Sequence, residues 1–164
     1  MAGGAQYPLA AMLRVRGLHE DQAMRDARAA EERLREAQEL RNGKAAELAR
    51  YRVWRPEEED RRYARIFGKS LDAAKLGEFR EDLARLAQGE ADLQQQVCEA
   101  EAVVRERQDE TEAARQAVIL ARRACMKLEE HRDVWTAAMR KEEERLSDLE
   151  MEESRGPARD SDES

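Results

Sequence analysis

The side chains able to do chemistry are few, and their spacing fits no catalytic or metal site. Phe67-Gly68-Lys69-Ser70 ends like a phosphate-binding P-loop. The first Gly of that motif is missing, because Arg62 or Tyr63 stands in its place, and no strand pattern precedes it. A helix-ending turn explains the same four residues. His19-Glu20 opens like a zinc-protease helix, but position 23 is Ala, so the second histidine ligand is lacking. His131 follows Glu129-Glu130 with no further His or Cys close by; both histidines read as solvated surface groups. Cys98 and Cys125 are too far apart along one helix, on the order of 40 Å, to pair within the chain. They read as reduced thiols, with Cys125 serving as a small hydrophobe. No nucleophile stands beside a base, no carboxylates pair in a cleft, and no Gly-rich loop cradles an anion. The sequence therefore predicts no enzyme, no cofactor and no metal.

What must position these side chains is helix. Of the 164 residues, 41% are Asp, Glu, Lys or Arg, while Gly (8), Pro (3) and aromatics (4%) are scarce. Helix formers dominate, and β-branched residues are too few for a sheet. The apolar content is also too thin for the core of a compact enzyme of this length. No apolar run is long enough to span a membrane, and the N-terminus lacks a signal-peptide layout. The net charge of −7 argues against nucleic acid as a partner. Acidity concentrates from Glu142 to the end, where ten acidic side chains meet three basic ones.

A heptad starting with Leu76 at a and Phe79 at d runs to Leu146 and Leu149. Seventeen of its 22 sites are apolar, with Glu90, Arg107, Thr111, Arg132 and Glu142 as the exceptions. A 3.5-residue period held this long requires a partner helix and left-handed supercoiling. A second, Ala-richer seam runs through Leu9, Leu13, Ala23, Ala27, Ala30, Leu34, Ala37, Leu48 and Tyr51. Gly68 is placed to end one helix, and Ser70 or Asp72 to cap the next.

The predicted fold is all-α: an elongated two-helix antiparallel coiled-coil hairpin with a longer C-terminal helix and a disordered acidic tail. Residues 1–8 are expected to be flexible. Helix 1 covers about 9–67 with a kink or restart at Pro56, the turn 68–71, helix 2 about 72–153, and the tail 154–164. A turn centred on residue 69 sets Leu34 against Val104 and Leu13 against Cys125. It leaves an apolar stripe through Trp135, Met139, Leu146 and Leu149 without an intramolecular cover, which marks an interaction site. Five of the seven aromatics (Tyr51, Trp54, Tyr63, Phe67 and Phe79) bracket the turn and suggest a second docking end.

Leu13-Arg-Val-Arg16, Tyr51-Arg-Val-Trp-Arg-Pro-Glu-Glu-Glu-Asp60 and Leu76-Gly-Glu-Phe-Arg-Glu-Asp-Leu83 resemble the YscO/SctO family of type III secretion central-stalk proteins, with flagellar FliJ as a cousin. The resemblance covers roughly residues 9–150. It implies a bacterial cytoplasmic, monomeric helical hairpin at the cytoplasmic face of the secretion apparatus, peripheral to the membrane complex through its partners. The paired termini would sit in the hexameric secretion ATPase, the tip would reach the cytosolic ring of the export gate, and export chaperones would be further partners. Positions matching the cousin's gate contact are Leu48, Tyr51, Phe79, Leu83 and Leu86, to which the tip aromatic Trp54 is added. The ATPase end would comprise Leu9, Leu13, Trp135, Met139 and Leu146. The alternative reading is a generic coiled-coil scaffold or homodimer with no secretion role, in which helix 2 pairs with its twin.

Overall fold

The computed structural model describes residues 4–156. It holds two helices, α1 (Ala10–Ile66) and α2 (Ala73–Arg155), and no strand among the described residues. By packing, residues 25–115 form one unit, and residues up to 24 together with those from 116 onward form another. No helix is long and apolar enough to cross a membrane.

The first unit contains the reversal. Gly68 takes φ +76°, a conformation open to Gly because it lacks a Cβ. The Lys69 amide donates to the Ile66 carbonyl (3.1 Å) and closes α1. Asp72 is the cap of α2: its Oδ1 accepts from the Lys75 amide at 2.8 Å. Across the hairpin the seam is thin where alanine lines α1. Ala27, Ala30 and Ala37 are buried, opposite Ala100, Val104 and Thr111 of α2. Small side chains let the backbones approach closely, so Thr111 Oγ1 can donate to the carbonyl of Ala30 (3.2 Å) as well as to that of Arg107 in its own helix (2.8 Å). Nearer the turn the seam thickens, with Leu48, Leu86 and Val97 buried. The partners of Ala30 (Thr111) and Lys44 (Gln96) lie two to three residues further along α2 than a turn centred on residue 69 places them.

Pro56 does not restart the helix. α1 runs through it without a break, even though the ring removes one backbone donor and crowds the preceding turn, a cost of about 3 kcal/mol. The acidic run that follows it pairs with cations of the same helix: Glu58 with Arg61 and Arg62, Glu59 with Arg55. Arg52 and Arg55 also reach across to Glu90 before the proline and Arg62 reaches Asp82 after it, tying both sides to α2.

In the other unit, Tyr7 is buried rather than part of a flexible lead. Its hydroxyl lies 2.6 Å from His131 Nδ1 and 3.5 Å from the Leu128 carbonyl. Its ring meets Trp135 edge-on at 5.5 Å. Leu13 is half-buried. Cys125 is buried, with Glu20 and Glu129 close to it. α2 continues to Arg155, two residues past the expected end, and Gly156 at φ +63° terminates it. The remainder of the expected acidic tail, residues 157–164, lies outside the described residues.

Candidate interaction surfaces

Two apolar surfaces stand out, one in each unit. The first surrounds the reversal. Phe67 is 89% exposed, and Val53, Trp54, Tyr63 and Leu76 are also exposed. Tyr63 packs edge-on to Phe79 at 5.0 Å, and Tyr51 lies 5.4 Å from Trp54. Ile66, Leu71 and Phe79 floor a cavity of about 490 Å³ rimmed by Arg62, Arg65, Lys75, Glu78 and Asp82. Arg62 is committed to Glu58 and Asp82.

Behind this apolar tip lies a charged clamp. Glu90 accepts from Arg55 (2.6 Å) and Arg52 (3.1 Å), and these two guanidiniums, Arg55 first, hold its carboxyl below the usual carboxylate range. Arg61 and then Arg62 do the same for Glu58. The Tyr51 ring reaches over α2, and its hydroxyl donates to the Leu86 carbonyl at 2.7 Å. Gly89 makes room for it, since a Cβ there would stand 2.5 Å from the hydroxyl oxygen. Gly89 escapes a sequence reading because a glycine off the apolar seam carries no periodic signal.

The six residues expected at the gate divide by burial. Leu48, at 4% exposure, and Leu86 are core side chains of the hairpin itself, so they support the tip from inside. Tyr51, Phe79 and Leu83 are half-buried. Trp54 is exposed. Phe67 and Val53 are exposed to a larger fraction than any of the six.

The second surface is the end of α2. Trp135 was expected to be bare, yet Tyr7 covers one face of it. Met139 is half-buried, and every described residue beyond it is exposed, Leu146, Leu149 and Met151 included. Leu9 and Leu13 remain half-buried. The stripe therefore begins past Trp135.

The reactive side chains gather nowhere. No group of three or more His, Cys, Asp or Glu able to hold a metal occurs among the described residues. His131 is occupied with Tyr7. Cys98 is exposed, whereas Cys125 is buried; burial first, then Glu129 and Glu20, pushes its thiol pKa up. Phe67–Ser70 is the inter-helix turn.

No curated protein matches this chain. The crystal structure of type III secretion protein YscO from Vibrio parahaemolyticus matches with a TM-score of 0.81 at 23% identity, covering 88% of this chain and 91% of that one. At that identity the match speaks for the shared helical fold. The family model described as type III secretion protein YscO matches residues 9–156. The chain belongs to the YscO family, components of the type III secretion apparatus.

Proposed function

We propose that this protein is a stalk of the secretion apparatus, working on its cytoplasmic side. The end of α2 docks on the hexameric secretion ATPase, and the tip around the reversal docks on the cytosolic ring of the export gate. Export chaperones are visiting partners. The observation that carries the reading is the stretch of α2 beyond Trp135, which keeps Leu146, Leu149 and Met151 exposed, with no cover among the described residues. The exposed aromatics at the tip supply the second contact, since aromatic anchors contribute heavily at interfaces. Tyr51, Phe79 and Leu83 would orient that contact and Trp54 would touch the partner, while Leu48 and Leu86 would act through the fold. Leu9, Leu13, Trp135 and Met139 would support the ATPase end in the same way, with Leu146 in direct contact.

Pull-down on purified ATPase and on the gate's cytosolic domain tests both ends. Truncation after Arg132 should abolish ATPase capture and leave gate capture intact. Phe79→Ala with Leu83→Ala should do the reverse, with helicity by circular dichroism unchanged. Retention of ATPase by the truncated chain, or unchanged gate affinity in the double variant, overturns the corresponding assignment.

A further inference from the structure

A second groove, in the unit that carries the α2 end, is absorbed by neither docking end. Met12, Leu120, Ala124 and Leu128 floor a groove of about 480 Å³, and Arg16, Arg123 and Lys127 rim it. No carboxylate lines it. None of the three cations has an ion-pair partner among the described residues. Leu120 is 64% exposed and Met12 nearly half exposed. An apolar floor within an unpaired cationic rim fits an amphipathic helix that is acidic beside its apolar stripe.

The chain itself contains such a helix. Between Glu142 and Glu153, α2 carries seven acidic side chains against the single Arg145, and Leu146 and Leu149 lie exposed among them. Groove and acidic arm also share one face of α2. Leu120, Ala124, Leu128, Trp135, Glu142 and Leu149 follow at spacings of four and seven, which keeps them in line along a helix. On one helix, groove and arm cannot meet. On two copies running antiparallel, they meet twice.

We propose that the free protein forms a reversible two-fold dimer in which the acidic arm of each copy lies in the cationic groove of the other. A centre between Val134 and Trp135 sets Leu120 against Leu149 and Lys127 against Glu142, and brings Val134, 70% exposed, to the axis. The contact is short and rich in charge, so the dimer is weak and salt-sensitive. Paired this way, the apolar arm is shielded until another partner displaces the second copy. The dimer rests on the geometry of groove and arm and not on the arm's role at the ATPase.

Sedimentation velocity of the full-length chain tests it without any secretion partner. At low salt, the wild type should shift from monomer toward dimer as concentration rises to about 500 µM. Raising the salt to about 0.5 M should reverse the shift. K127E and E142K should each weaken the dimer by about tenfold or more, because each places like charges together twice. An equimolar mixture of K127E and E142K should restore it, since both contacts then pair opposite charges. Both positions are exposed, and unchanged circular dichroism verifies the fold. A wild type that stays monomeric throughout, or a dimer indifferent to K127E, or a mixture that fails to recover, overturns the proposal.

Discussion

Gly89→Ala tests whether the tip is organised by Tyr51 reaching across to α2. In the interior of a helix this substitution ordinarily stabilises by about 1 kcal/mol, because Ala loses less backbone entropy than Gly. Here the new methyl would stand 2.5 Å from Tyr51 Oη and 3.1 Å from Cζ. The rigid ring cannot yield along its axis while its hydroxyl is bonded to the Leu86 carbonyl; it must swing away. Swinging gives up that hydrogen bond, about 0.5–1.5 kcal/mol, and its contact with Trp54, about 0.5–1.5 kcal/mol. The loss of about 1–3 kcal/mol matches or outweighs the gain, so Gly89→Ala should be neutral to destabilising by about 2 kcal/mol. In a Tyr51→Ala chain nothing opposes the methyl, and the same substitution should stabilise by about 1 kcal/mol. Urea unfolding of the four members of this double-mutant cycle, followed by circular dichroism, measures the coupling. An equal gain from Gly89→Ala in both backgrounds would refute the reasoning, since Tyr51 would then not be held over α2.

Two further outcomes follow from the charged and sulfur groups. The Glu90 carboxyl is held below its ordinary value by Arg55 and Arg52. Its contribution is therefore complete above the ordinary carboxylate pKa and is lost as pH falls through the lower, folded-state value. Glu90→Gln should flatten the fall in stability between about pH 5 and pH 3 relative to wild type; an identical acid profile in thermal melts would contradict the clamp. At mildly alkaline pH, a thiol reagent should modify Cys98 promptly and Cys125 only on unfolding, because Cys98 is exposed while burial and two carboxylates hold the Cys125 thiol protonated. Equal modification rates in the native chain would show that the seam opens there.

The helices were legible because the heptad is an arithmetic signal that survives single exceptions. From Phe79 to Met139 every a and d position except Arg132 is buried or half-buried, as the pattern requires. The helix does not restart at Pro56, because the proline's cost is local whereas the contacts that offset it lie across the hairpin: Glu90 is 35 residues from Arg55 and no local rule connects them. The same holds for Tyr7, its partners being Leu128, His131 and Trp135. Candidate contact residues were only partly legible. Periodicity marks which side chains face the seam, so it selected Leu48 and Leu86, which the seam buries. Phe67, in the turn where no period applies, was seen only as one of a group of aromatics.

The polar exceptions in the seam have a common role in this unit. Alanine against alanine buries little area, at roughly 25 cal/mol per Å², and one heptad of slip would bring similar small residues together again at nearly equal energy. Leu48 and Leu86 favour one register, but apolar side chains tolerate neighbours of similar size. The directional contacts do not. Thr111 must find the Ala30 carbonyl, Lys44 must find Gln96, and Glu90 must lie between Arg52 and Arg55, while the Tyr51 ring needs the gap at Gly89. A slip of seven residues breaks all of them at once. The seam therefore obtains affinity from its apolar positions and register from its polar ones. That division explains how a chain so poor in large hydrophobes can set Tyr51, Trp54, Tyr63 and Phe79 at defined positions around the reversal.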